Sequence, residues 1–253
     1  MGMSPDELMA IRVGGTSVAD NIRHAVEAGA LVENVDGSWS LAEIPPNRNW
    51  ARVVPDWAKA GPGPPAECNF LIRFLFGNAY AEGAVPYGCR ACYKIKVVPK
   101  TIRQLVAAWG IGKRIDCVSK WGVDFGNRYS QDIYAGYFYT SGLEGARALF
   151  RVVRELVDGE PLLGPKVAMS IKRGCSDYEA ALGPSDKYEF APELDQLEAY
   201  LKSRYREKQQ ELAVIPLAHW IDVAFRSGDD TYLDFTEGRR LQPKMVTYDP
   251  GNA

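Results

Sequence analysis

Histidine is almost missing: His24 and His219 are the only two in 253 residues. That leaves little material for a Ser-His or Cys-His catalytic couple, or for a histidine-rich metal site. Both lie in apolar surroundings, His24 among alanine and valine and His219 after Ile215-Pro-Leu-Ala. No run approaches the roughly 18 apolar residues of a membrane-spanning helix, so no membrane partner is expected. The opening residues, MGMSPDELMAIRV, carry acids where a secretory leader has basic residues and an apolar core, which points to a cytoplasmic protein. There is no Gly-x-Ser-x-Gly elbow, no P-loop and no complete Gly-x-Gly-x-x-Gly, so the sequence lacks the common signatures of esterase, nucleotide-hydrolysing and dinucleotide-binding chemistry.

Cysteine is scarce and odd in number, with Cys68, Cys89, Cys92, Cys117 and Cys175. An odd count in a cytoplasmic protein argues against a disulfide framework and leaves thiols free as ligands or nucleophiles. Three of the five fall in one stretch, Val85 to Gly122, with eight Lys or Arg between Cys89 and Trp121 against the single acid Asp116. This segment is about +7 in a chain whose formal charge is -2, so the remainder is about -9. Thiols and positive charge gathered together are the chemical anomaly of the sequence. The acidic total argues against nucleic acid as a partner.

The local patterns give a coarse architecture. Ser4-Pro5-Asp6-Glu7 starts a helix expected to end at Gly14-Gly15, and Thr16-Ser17 caps a second through Ala28. Leu31 to Ile44 alternates around Asp36-Gly37, the dipeptide of a tight hairpin. Residues 1–44 therefore read as a small helix-helix-hairpin appendage. Its likeness to the end of a winged-helix module stops at a missing third helix and a missing basic recognition face. Six prolines between Pro45 and Pro65, together with Trp50 and Trp57, make residues 45–66 a wrapping loop. Residues 67–253 form the core domain. In it Tyr93, Ile95 and Val97 alternate with Cys92, Lys94 and Lys96 as a half-buried strand. Ile102–Trp109 is a helix, Ile133–Thr140 a strand, and Ser141-Gly-Leu-Glu144 a capping box for a helix to Val157. Lys166–Lys172 is a third strand. A long helix runs from Pro192 to about Leu212, and Thr231–Thr236 pairs with Met245–Tyr248 as a terminal hairpin. The fold class is α/β or α+β, with a ferredoxin-like or related βαβαβ sheet core.

A Cys-x-x-Cys pair lets two thiolates reach one metal from a single turn. Structural zinc commonly uses two such knuckles, and this chain has one. Iron–sulfur clusters accept more dispersed ligands, so the expected cofactor is an iron–sulfur cluster of the four-iron type, with zinc as the alternative. Cys89, Cys92, Cys117 and Cys175 are the expected ligands, the last two because they lie in polar loops. Cys68 opens the apolar run CNFLIRFLFG and reads as core. Side-chain alternation puts Cys92, Lys94 and Lys96 on one strand face, and Ser170 and Lys172 on one face of the third strand. Lys94, Lys96, Arg114, Lys172 and Arg173 then form a basic pocket for an anionic small molecule, with Cys175 beside Cys89 and Cys92. The implied function is an iron–sulfur enzyme or subunit, an oxidoreductase or lyase, working with an anionic substrate or a redox partner protein. The alternative is a zinc-stabilised, non-catalytic module for an anionic partner such as nucleic acid. A thioredoxin-type role is disfavoured because the pair runs into a strand, not a helix N-terminus.

Overall fold

The chain was analysed as a computed structural model, which describes residues 2–42, 57–62, 67–124, 131–207 and 216–242. In chain order the elements begin with α1 (Pro5–Met9), β1 (Arg12–Val13), β2 (Thr16–Ser17), α2 (Val18–Glu27), β3 (Leu31–Glu33), β4 (Trp39–Leu41) and β5 (Trp57–Ala60). A wide helix follows at Asn69–Ala79. Then come β6 (Cys92–Val98), α3 (Ile102–Gly112), β7 (Ser119–Val123), β8 (Tyr134–Ser141), α4 (Leu143–Gly159) and β9 (Ala168–Arg173). The chain closes with α5 (Ser176–Leu182), α6 (Glu193–Arg204) and α7 (Leu217–Ser227).

Helix and strand are mixed, and every sheet is antiparallel. The central sheet has five strands in the order β5-β7-β8-β6-β9. Two of them correct the sequence reading. Strand β7 adds a hairpin with β8, so the core runs β-α-β-β-α-β instead of βαβαβ. Strand β5 forms within the proline-rich stretch expected to hold no regular element, in its six-residue gap between Pro55 and Pro62. The rest of that wrapping loop, over 45–56 and 63–66, lies outside the described residues, as does the second half of the terminal hairpin.

One sheet face carries the main core. Ile95 and Val97 of β6, Trp121 of β7 and Phe138 of β8 meet Leu105 and Ile111 of α3 and Val153 and Val157 of α4. Trp121 and Phe138 meet edge to face, with centroids 5.3 Å apart. Gly136 lies opposite Trp121 in the β7–β8 register, and a methyl group there would be driven into the indole ring. Gly136→Ala is therefore expected to destabilise the fold by about 1–3 kcal/mol through overpacking, read as a lower urea midpoint with an unchanged slope.

A second core joins the N-terminal elements to the C-terminal helix. Leu8, Ile22 and Trp39 pack with Phe70 and Phe74 of the wide helix and with Leu197 and Leu201 of α6. The apolar residues between Leu8 and Trp39 thus share their interior with residues near 200. Ser4 does cap α1, with Glu7 reaching back to its backbone N–H, but that helix stops at Met9. Gly14 and Gly15, both at positive φ, then turn the chain into the β1–β2 hairpin. Several C-terminal expectations also change. Helix α6 ends at Arg204 instead of near Leu212. The residues Asp230–Phe235 form a 3-10 turn, not a strand, with Asp229 accepting from the Thr231 N–H at its start. The capping box at Ser141 is not used: Gly142, at φ 74°, is the N-cap of α4, and Ser141 stays in β8.

Candidate functional site

The other sheet face is the chemically distinctive one. Residues directly opposite each other in an antiparallel pair project to the same side. Lys94 is paired with Tyr139 on one flank and Lys172 on the other. Lys96 is paired with Tyr137 and Ser170, and Tyr137 is in turn paired with Lys120. The strands therefore lay out rows of lysine and tyrosine, an unusual polar floor for a sheet. The wide helix covers part of it, and Cys68 and Ile72 line the same cavity of about 460 Å³ as Lys94, Lys120, Lys172 and Cys175.

Three chain segments bring cysteines to the edge of this floor. Cys89 ends the turn Tyr87–Cys89, and Cys92 begins β6. The β6–β9 pairing continues beyond β9, where the Gly174 N–H donates to the Cys92 carbonyl at 3.0 Å. That contact sets Cys175 beside the Cys-x-x-Cys turn, and Cys89, Cys92 and Cys175 share one small cluster with Phe76, Val85 and Tyr178. Cys89 Sγ lies 3.3 Å from the Tyr178 hydroxyl. Cys68 arrives from the start of the wide helix. Burial above all pushes the thiols of Cys68, Cys89 and Cys92 up, with the charges of Cys175 and other cysteines adding to it, against the Tyr178 hydrogen bond at Cys89 and the Lys94 charge at Cys68 and Cys92. Four of the five cysteines therefore form one electrostatic group.

Lys94 sits among them. Only 6 % exposed, it donates from Nζ to Cys175 Sγ at 2.7 Å. Burial alone would lower its affinity for a proton. The Cys175 charge, the hydrogen bond to that sulfur, and the charges of Cys92 and Cys68 outweigh burial and hold the ammonium above its ordinary value. An ammonium buried with four thiols is a preformed counter-charge for an anionic sulfur centre.

The turn bearing Cys89 is held from a distance of more than a hundred residues. Glu198, buried on α6, accepts from the backbone N–H of Tyr87 at 2.5 Å and of Gly88 at 2.8 Å, and from the Tyr80 hydroxyl at 3.0 Å. Farther along the floor, Lys96 pairs with Asp132 at 2.8 Å, and the Tyr137 hydroxyl donates to Asp124 at 3.2 Å.

Several residues picked out by the sequence lie elsewhere. Cys117 donates to the Tyr139 carbonyl at 3.0 Å and packs against the main core on the helical side of the sheet. Its thiol is pushed up by burial and by Asp116, with no contribution from another cysteine. Cys68 occupies the place near the pair that the loop argument assigned to Cys117. Arg114 is 3.9 Å from Glu160, and Arg173 lies over the Tyr93 and Phe190 rings while donating to the Ser185 carbonyl. Neither lines the cavity, whereas Lys94 and Lys172 do, and Lys96 adjoins it through Asp124. Lys120 and Glu198 had no sequence signal assigned to them. Reading Ser119–Val123 as a strand would have placed Lys120 on the polar face.

Among the described residues, no group of three or more His, Cys, Asp or Glu side chains is drawn together as a single bound ion requires. Nor, among those residues, is any helix long and apolar enough to cross a membrane. No family model, curated protein or solved structure matches the chain.

Proposed function

We propose that the chain is an iron–sulfur protein whose cluster is held by Cys68, Cys89, Cys92 and Cys175, next to a lysine-lined cavity for an anionic small molecule. The observation that carries this reading is the meeting of four cysteines from three separate segments around the buried Lys94 ammonium. An all-sulfur donor set suits iron–sulfur clusters. A single zinc ion needs its sulfurs within about 4 Å of one another, given zinc–sulfur bonds of about 2.3 Å. A four-iron cluster is itself several ångströms across and takes thiolates set farther apart, which suits the looser grouping here. Lys94 would offset the negative charge of a four-thiolate cluster and raise its reduction potential. The β-α-β-β-α-β order, with its antiparallel sheet, supports reading the core as a ferredoxin-like unit carrying one added edge strand.

The cavity favours action on a small molecule, as in a lyase or oxidoreductase, over electron transfer alone. Lys94, Lys120 and Lys172 line it, against Asp124 and Asp177. With all four irons held by thiolates the bound cluster would supply redox chemistry, and the lysines would bind and orient the anion. Protein purified without oxygen is expected to be brown, with a broad absorbance at about 400 nm that bleaches on reduction. Colourless protein that stays colourless after reconstitution with iron and sulfide would overturn the proposal.

A further inference from the structure

The cavity's three lysines are not equivalent. Lys94 is committed to Cys175. Lys172 is committed to Glu179 at 2.5 Å and to the Ser176 hydroxyl at 2.8 Å. Among the described residues Lys120 makes no ion pair. Its Nζ instead sits 4.3 Å from the centre of the Trp57 ring and 5.3 Å from that of Tyr137, both of which line the cavity. The side chain is thus held by two aromatic walls in a cavity that the Lys94 ammonium also lines. An amine next to another cation, with its surroundings largely stripped of water, is the setting in which lysine acts as a nucleophile.

We propose that Lys120 is a reactive amine that forms an imine with a carbonyl compound bearing a phosphate or carboxylate group. This goes beyond the cluster reading and does not depend on it. The free amine adds to the carbonyl carbon. Both amine hydrogens then leave with the carbonyl oxygen as water, and a carbon–nitrogen double bond remains. Lys94 and Lys172, although paired, keep positive charge in the cavity lining that draws the anionic group of the substrate, and the Asp124 carboxylate lies within the same cavity to handle protons.

The direction of Lys120 titration agrees with this role. Burial first, and then the Lys94 charge, lower its proton affinity, against the opposing charges of Cys68, Cys175 and Asp124. Lys59, directly opposite on β5, adds a further cation on the same face. Each unit of lowering multiplies the free-amine fraction at neutral pH about tenfold.

Pyridoxal 5′-phosphate is a suitable probe, since it carries an aldehyde, a planar ring and a phosphate. The full-length protein is treated with it, reduced with borohydride and mapped by peptide mass spectrometry, with iron content measured on the same sample. Lys120 is expected to be labelled about tenfold faster than the exposed Lys59, Lys100 and Lys113. Inorganic phosphate should slow that labelling, and the phosphate-free pyridoxal should react more slowly. Lys120→Arg should remove the cavity adduct while leaving the circular dichroism unchanged. Labelling spread over the exposed lysines, with Lys120 no faster, overturns the reactive-amine assignment. Equal rates for pyridoxal and its phosphate overturn the anionic substrate class. Neither result bears on the cluster, whose presence the iron assay reports separately.

Discussion

Cys68→Ser is expected to strip the protein of iron and sulfide, and Cys117→Ser to leave both in place. The two residues have similar standing by burial, since both are half-buried. Their surroundings differ. Cys68 lines the cavity together with Cys175 and Lys94, and its titration responds to both. The Cys117 thiol is turned to the Tyr139 carbonyl and has no electrostatic link to another cysteine. A serine at position 68 removes a soft thiolate that a hydroxyl does not replace for iron. Iron and sulfide should therefore fall from near stoichiometric to a small residue, with the same result for Cys89→Ser, Cys92→Ser and Cys175→Ser. Circular dichroism separates loss of cluster from loss of fold. Iron retained in Cys68→Ser but lost in Cys117→Ser would restore the ligand set suggested by loop position.

Glu198→Ala should be the most damaging single change outside the cysteines. It leaves the part-buried N–H groups of Tyr87 and Gly88 without their acceptor and frees the buried Tyr80 hydroxyl. Unpaired donors cost about 1–3 kcal/mol each when buried, and the two N–H groups are only part-buried, so a total loss at the low end, about 3 kcal/mol, is expected. For a chain of this size that lowers the melting midpoint by roughly 6 °C. The damage should also reach the site, because the freed turn carries Cys89. Cluster retention should fall further in Glu198→Ala than in Glu198→Gln, which keeps one amide oxygen as an acceptor.

The same residue makes a pH prediction of definite sign. Burial holds the Glu198 carboxyl above its ordinary value, against the pull of the Gly88 and Tyr87 N–H groups and the Tyr80 hydroxyl. A carboxyl raised in the folded state contributes stability that is complete below its unfolded value, near 4.5. That contribution is lost as pH rises through the folded value. Glutamine has no such titration. The stability of Glu198→Gln relative to the parent chain should therefore improve on going from pH 4 to neutrality, as measured by urea unfolding at a series of pH values. A difference that stays flat, or moves the other way, contradicts the assignment.

The sequence patterns that proved legible were those that repeat locally. The alternation of Tyr93, Ile95 and Val97 with Cys92, Lys94 and Lys96 marked β6 and its two faces, since a strand's side-chain period of two survives any tertiary context. The neighbourhood of Cys175 and Cys92 followed from that strand and the end of β9. Strand β7 was harder to see. It is five residues long, and Trp121, Gly122 and Val123 are buried along with Ser119, so little alternation remains. Cys68 reads as core from the sequence because it opens an apolar run. Yet the wide helix that begins there packs into the second core and also covers the polar sheet face, so its apolar character and its place at the site have the same cause.

Glu198 shows a different limit. On α6 it is one of several acids along a charged helix, and nothing in the local pattern distinguishes it from Glu193 or Asp195. Its importance comes from partners about 110 residues away. The unused capping box at Ser141 is the reverse case, a correct local motif overridden by its setting. Ser141 pairs with Cys92 at the end of β8, and the positive φ of Gly142 starts the helix one residue later. Turn chemistry and sheet pairing competed for one residue, and pairing prevailed.

Whether Cys68, Cys89, Cys92 and Cys175 hold an iron–sulfur cluster is decided by an assay of iron, zinc and acid-labile sulfide on one anaerobically purified sample of the whole chain. About four iron and four sulfide per chain, with zinc only in traces, is the expected result. One zinc per chain without sulfide, or no metal even after reconstitution, would contradict it.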